Sequence, residues 1–235
     1  MYLKKSKSII SILLSILNII FLSPISFADE LRFPIKLQEI FPDKNFATAI
    51  KQQLKKSSIN DYVSQDELNG IEKLDYRMNN KILINIEGIQ YLNNLKYCAI
   101  IGCQLTDISK LLHLTKLCTL FLSYNCLSDI TPLSNLNNLT HLELSNNQIN
   151  NLQPLSSLYN LCWLEISQNR IEDLSPLKRL RKLKTLNIMG NPADYTQLAS
   201  LKGLRIFYLD SQNMNNTYLS PGSKPSFIWR LFGWS

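Results

Sequence analysis

Aliphatic residues recur through the middle of this chain in a fixed frame. One copy reads Leu139-x-x-Leu142-x-Leu144-x-x-Asn147-x-Ile149, followed by Leu152-x-Pro154-Leu155-x-x-Leu158. Its x-Leu-x-Leu-x portion alternates, which predicts a short strand with the leucines pointing inward. Chain reversal after that strand leaves backbone amides and carbonyls inside the coil, and these need partners. Asn125, Asn147, Asn169 and Asn191 stand at that corner, each 22 residues after the last. A buried asparagine amide offers two donors and an acceptor there, so the four are expected to be structural. One copy cannot bury its own apolar face. The copies must therefore stack.

A 22-residue frame of this kind is the signature of a leucine-rich repeat. The fold class expected is an α/β-type solenoid. It is a curved rod of such repeats with a parallel concave β-sheet, a short 3₁₀ or irregular convex side and a helical N-terminal cap. The repeats are assigned to residues 73–212. Regular coils start at Leu95, Leu117, Leu139, Leu161 and Leu183. A degenerate coil spans about 73–94, with Leu83, Ile86, Ile89 and Leu92 in frame. A last coil starts at Leu204, 21 residues on, with Gln212 at the ladder position. On the return side, Asp129-Ile130-x-Pro132-Leu133 and Asp173-Leu174-x-Pro176-Leu177 suit a tight turn or one turn of 3₁₀ helix, and Asn151 takes the acid's place in between. Residues 29–72 do not repeat and are assigned to a cap that covers the first coil's leucines. Pro42-Asp43 opens a helix with Phe46, Ile50 and Leu54 on one stripe, and Ser64-x-x-Glu67 is a capping box opening a second helix that ends near Gly70.

Residues 1–28 read as an export signal. Lys4, Lys5 and Lys7 precede an apolar run from Ile9 to Leu22, and Ser26-Phe27-Ala28 places small residues for cleavage before Asp29. The competing reading is an uncleaved anchor, for which the run is short. The signal holds three of the lysines and no acid, which leaves residues 29–235 with +4 of the chain's formal +7. That charge is too mild for a nucleic-acid footprint. With 45% hydrophobic residues, one elongated domain is expected, as a monomer. Five cysteines cannot all pair within one chain. Only Cys118 and Cys162 share a phase, and they lie two coils apart, beyond the roughly 7 Å reach of a disulfide. Cys98 replaces a core leucine and Cys103 the first ladder asparagine; both read as small buried hydrophobes. No metal-ligand spacing emerges, and no cofactor is expected.

Phe41-Pro42-Asp43, the stretch Val63-Ser64-Gln65-Asp66-Glu67-Leu68, and Ile86-Glu87-Gly88-Ile89-Gln90-Tyr91-Leu92 resemble the N-terminal region of the internalin family. The Asp-Ile-x-Pro-Leu return segments do so too. The resemblance covers about residues 35–212. Internalins are exported leucine-rich proteins of Gram-positive pathogens, several of which bind host-cell receptors or host cytosolic proteins. The resemblance implies a short, secreted member. An immunoglobulin-like sandwich normally follows the repeats in that family, and residues 213–235 leave no room for one. No Leu-Pro-x-Thr-Gly sorting signal is found either. A working short form and a truncated remnant are both open. The tail itself, ending Phe227-Ile228-Trp229-Arg230-Leu231-Phe232-Gly233-Trp234, reads either as a cap over the last coil or as a membrane- or wall-associating segment.

Function is expected on the concave strands. Counting from each coil's first leucine as zero, outward positions are 2, 4, 6, 7 and 9. Position 2 gives Tyr97, Thr119, His141, Trp163, Thr185 and Ile206; position 4 gives Ala99, Phe121, Glu143, Glu165, Asn187 and Tyr208. Tyr97, Phe121, Trp163 and Tyr208 form a broken aromatic track flanked by Glu143, Glu165 and Arg170, with Tyr124 and His141 beside it. Aromatics and arginine anchor protein interfaces, so these nine are the candidate protein-binding residues. The bland alternative is that the rings shield one another on an exposed sheet. The run Lys178-Arg179-Leu180-Arg181-Lys182-Leu183-Lys184 reads as a solvated convex face, with attraction to anionic wall polymer or lipid headgroups as the minor reading. No catalytic residue is expected: His113 and His141 fall in different phases, and Glu143 with Glu165 suits docking better than proton sharing. The function expected is secreted, non-enzymatic binding of a host protein. The rival is a surface-retained structural protein held by its tail or basic run.

Overall fold

The computed structural model describes residues 34–77, 82–200, 204 and 206–208. The expected export signal, Gln212 and the tail from 213 lie outside the described residues.

The cap begins with β1 (Ile35–Lys36) and a single helical turn, α1 (Leu37–Ile40). Asp43 then opens α2 (Lys44–Gln53), its carboxylate accepting from the amides of Asn45 and Phe46 at 2.8 and 3.0 Å. Two of the helix's orphan donors are satisfied that way. Phe46 and Ile50, one turn apart, are fully buried, and the Phe41 ring meets Phe46 edge-on with centroids 5.2 Å apart. β2 (Tyr62–Val63) pairs antiparallel with β1, and α3 (Gln65–Asn69) follows. Ser64 and Glu67 close the capping box: the Ser64 hydroxyl accepts from the Glu67 amide at 3.2 Å, and the Glu67 carboxylate accepts from the Ser64 amide at 2.9 Å.

Seven parallel strands form the concave sheet in chain order. They are β3 (Lys73–Arg77), β4 (Tyr97–Ile101), β5 (Thr119–Phe121), β6 (His141–Glu143), β7 (Trp163–Glu165), β8 (Thr185–Asn187) and β9 (Ile206–Tyr208). From β4 to β8 equivalent residues pair at the repeat length, so Thr119 faces His141, and His141 in turn faces Trp163. At the ends the offset changes. Lys73 faces Tyr97, 24 residues on, and Thr185 faces Ile206, 21 residues on. Between the outward residues, Leu120, Leu142, Leu164 and Leu186 are fully buried, and so are Leu122, Leu144, Ile166 and Ile188 behind them. The return side is built of 3₁₀ turns, Thr131–Asn135, Gln153–Ser157 and Ser175–Arg179, each with a proline in its first turn. Asp129, Asn151 and Asp173 each accept at 2.8 Å from the amide two residues on, which opens those turns.

The four ladder asparagines stitch each coil to the previous one. Asn147 accepts from the Leu127 amide at 3.0 Å and donates to the carbonyls of Leu122 and Leu144, both at 3.0 Å. Asn125, Asn169 and Asn191 repeat this pattern on their own coils. Cys103 occupies the ladder position one coil earlier and is more than a small hydrophobe. Its thiol donates to the Ile101 carbonyl at 3.3 Å, and Asn125 takes up both the Cys103 and Leu105 amides. Burial pushes the Cys103 thiol up to about 11, so it is neutral at physiological pH. Cys98, wholly enclosed, is pushed up further.

A second ladder, not marked by any single residue type, runs one position before each coil's first leucine. Asn94 donates to the Asn69 carbonyl at 2.9 Å and Lys116 to the Asn94 side chain at 2.6 Å. Asn138 and Asn160 donate to Thr115 and Asn137 carbonyls at 2.7 and 2.8 Å, and Lys182 to the Asn160 side chain at 2.7 Å. Removing one member of the buried ladder should be severe. Asn147→Ala should cost about 3 kcal/mol in urea unfolding followed by circular dichroism, because two carbonyls and an amide lose their partners inside the coil. Gly88 tests the junction between cap and solenoid. Its φ is +99°, and a Cβ there would lie 2.4 Å from the Ile40 carbonyl oxygen and 2.4 Å from the Phe41 ring. Gly88→Ala should lower stability by about 2 kcal/mol or more in the same assay.

Candidate functional site

The regular strands are three residues long, so each coil presents two strand side chains outward with one leucine between them. The sheet brings these into two rows. One runs Lys73, Tyr97, Thr119, His141, Trp163, Thr185; the other runs Asp75, Ala99, Phe121, Glu143, Glu165, Asn187. Tyr208 follows Asn187 in the second row by backbone pairing; its side chain is not among those described. Position 6 lines the face on some coils only: Ile101, Ser167 and Met189 are partly exposed. Ser123 and Ser145 are buried, because the strand has ended by then and the chain is turning inward toward the ladder asparagine. Ala99 is likewise covered.

The aromatic track is closer to continuous than spacing implied. Tyr97 and Phe121 meet edge-on with centroids 5.7 Å apart, Phe121 and Trp163 at 6.0 Å, and Trp163 and His141 at 6.3 Å. Phe121 and Trp163 sit two coils apart, so their rings lean toward each other across β6. All three larger rings stay partly exposed. Thr140 holds His141, its hydroxyl 2.9 Å from Nδ1.

Glu143 and Glu165 pair directly on adjacent coils. Burial between the aromatics pushes both carboxyls above the ordinary glutamate value, against opposing hydrogen bonds that include the Ser145 hydroxyl and the Ser167 amide. Glu143 raises Glu165 further by like charge. Among the described residues neither carboxylate has a basic group within ion-pair distance.

Sequence reasoning passed over the β3 end of this face. Lys73 lies 4.9 Å from the Tyr97 ring centroid, and Arg77 donates to the Tyr97 hydroxyl at 2.7 Å and pairs with Asp75 at 2.7 Å. The alternation Lys73-Leu74-Asp75-Tyr76-Arg77 was the available signal, since Leu74 and Tyr76 are buried. Tyr124 and Arg170 sit on the rim, both exposed. Tyr124 is 52% exposed and adopts φ +55° at a site where the other coils carry Gly102, Asn146, Gln168 and Gly190, also left-handed. A large aromatic is an uncommon occupant of that backbone region. His113 lies past the return turn Ser109–Leu111, away from His141's strand. Among the described residues, no three His, Cys, Asp or Glu side chains gather around a metal-sized site, and no helix is long and apolar enough to cross a membrane.

Two family profiles match this chain. One, described as bacterial adhesion/invasion protein N terminal, covers residues 28–69; the other, leucine-rich repeats in two copies, covers residues 115–157. Internalin C of Listeria monocytogenes is 36% identical over 69 residues, 29% of this chain and 23% of that protein. Internalin H of the same species is 40% identical over 80 residues, 34% of this chain and 13% of that protein. The matched stretches thus span less than a quarter of those relatives' own lengths. The crystal structure of another Listeria monocytogenes internalin aligns with a TM-score of 0.63 at 33% identity, over 75% of this chain and 58% of that one. The cap that matches, the coil frame that matches and the superposed solenoid agree: this chain belongs to the internalin family, leucine-rich-repeat proteins built as protein-interaction modules.

Proposed function

We propose that this chain is an exported, non-enzymatic binding protein that engages a host protein through its concave face, as a virulence-associated factor. One observation carries the reading. Three partly exposed aromatic rings in contact along the track cross the open sheet beside two half-buried carboxylates that have no basic group within ion-pair distance among the described residues. Mutual shielding accounts for the rings alone. It does not account for the carboxylates, whose desolvation outweighs the hydrogen bonds from Ser145 and Ser167 and the field of Arg77, and so opposes folding. A partner that covers the rings and offers a basic group to Glu143 and Glu165 satisfies both. The strained backbone at Tyr124 fits the same picture, since it displays a large side chain at the rim at a cost in stability. Export before Asp29 and a monomeric chain complete the proposal.

Two outcomes follow. In capture from host-cell lysate and membrane extract, the wild type should retain a partner that Phe121→Ala/Trp163→Ala loses, by at least about 2 kcal/mol once the affinity is measured. Circular dichroism should show both chains folded. A folded wild type that captures nothing would sink the reading. The carboxylates give the second test. Their raised folded-state pKa means that the folded chain holds protons better than the unfolded one. They favour the fold below the ordinary value of 4.5 and oppose it as pH rises through their folded values. Glu143→Gln/Glu165→Gln should therefore be more stable than wild type at neutral pH, lose part of the decline above that value, and bind the captured partner more weakly. Greater stability with unchanged binding would make the pair a mere burden on the fold.

A further inference from the structure

The convex side of one coil carries more charge than the fold or the concave face uses, Lys182 alone serving the second ladder. Residues 178–182 close the coil that starts at Leu161. Twenty-two residues upstream, the equivalents of Lys178, Arg179, Arg181 and Lys182 are Ser156, Ser157, Tyr159 and Asn160. One coil further back they are Ser134, Asn135, Asn137 and Asn138. Those neutral groups are sufficient for the turn: Ser157 donates to the Ser134 carbonyl at 2.7 Å, and Asn160 to the Asn137 carbonyl at 2.8 Å. The coil frame itself depends on Leu177 and Leu180, both buried. Four cations at this turn therefore exceed what closing the coil requires.

Their surroundings add a ligand's outline. Lys178, Arg179, Arg181 and Lys182 are all exposed and, with Tyr159, line one open cleft of about 490 Å³. No acid lines it. Lys182 alone is tied down, to the Asn160 side chain at 2.7 Å. Among the described residues none of the four has a carboxylate within ion-pair distance. Asp173, whose field reaches Lys178, is already occupied by the Ser175 amide and hydroxyl at 2.8 Å each. Tyr159 stands at the position of Arg181 one coil earlier and is 56% exposed. Guanidinium forks hold sulfate and phosphate oxygens two at a time, and a tyrosine face beside them covers the apolar side of a sugar ring. Like charges crowded this closely repel one another until an anion arrives.

We propose that this cleft binds a polysaccharide strand bearing sulfate or phosphate esters, with Arg179, Arg181, Lys178 and Lys182 on the oxyanions and Tyr159 against a sugar. The site is separate from the concave face and does not rest on that face's function. The test is binding of the purified protein to heparin and to phosphomannan, which distinguish sulfate from phosphate as the ester. Polyphosphate serves as a sugarless anion and dextran as an uncharged glycan, all at physiological salt. At least one of the two charged glycans should bind, dextran should not, and affinity should fall steeply with added salt. Arg179→Ala/Arg181→Ala should weaken binding about tenfold, the scale of two exposed charge pairs. Tyr159→Ala should weaken the glycan and leave polyphosphate unchanged, while Phe121→Ala/Trp163→Ala should leave every arm unchanged. All variants change exposed or partly exposed side chains, and circular dichroism checks that they fold. Failure of both charged glycans to bind, or binding indifferent to the two arginines, overturns the proposal. So does polyphosphate bound as tightly as the glycans with no dependence on Tyr159.

Discussion

Each coil of this solenoid is held to its neighbour by a buried asparagine amide. Asn147 shows why nothing simpler serves. Its oxygen takes an amide proton from the previous coil, and its nitrogen gives to one carbonyl of that coil and one of its own. A chain that reverses within a few residues strands such groups where water cannot reach, at about 1–3 kcal/mol for each one left unmade. A hydrophobe of the same size could fill the space and would satisfy none of them. At the first regular coil a cysteine takes the place, and the accounting shifts accordingly: the thiol satisfies one carbonyl, and Asn125 above it accepts two amides instead of one.

Because core leucines and amide ladder do the holding, the outward strand positions are released from structural duty. That release is what makes composition there informative. In the row through Ala99, Phe121, Glu143, Glu165 and Asn187, a surface under no other demand has no reason to bring two carboxylates together on neighbouring coils. The sheet's spacing of roughly 4.8 Å forces any two residues at equal phase into contact distance. The same geometry that builds the face therefore amplifies repulsion between like charges and attraction between rings. Phe121 and Trp163, at different phases and two coils apart, still reach each other, with ring centroids 6.0 Å apart.

Much of this was legible from the order of residues. The strands, the helical cap and the parallel stacking are set by short-range rules, so the Asp43 cap and the Ser64–Glu67 box could be read directly and stand as expected. Harder to see were features whose pattern is spread over unlike residues. The second ladder mixes asparagine and lysine, because either can span to the coil before it, and no one identity holds the position throughout. The strand β3 hid for another reason. Its pairing offset of 24 breaks the period, and with it went Lys73, Asp75 and Arg77, which bound the aromatic track on one side. Position 6 was misread on two coils, where a period-2 rule was carried past the strand's end and Ser123 and Ser145 already point into the coil.

The two faces of the coil starting at Leu161 show how one frame supports separate demands. Trp163 and Glu165 leave its strand toward the concave side; Lys178 to Lys182 leave its return turn toward the convex side. Between them lie Leu164, Ile166, Leu174 and Leu177, all buried. Charge on one side is thus kept apart from charge on the other by a packed apolar layer, and solvent screens each face separately. Mutations on one face should not propagate to the other unless they break the ladder, since surface substitutions this far apart act independently. A solenoid of this kind gains function by adding residues to positions the fold has left unassigned. Acids and aromatics inside the curve, and bases outside it, are what such additions look like.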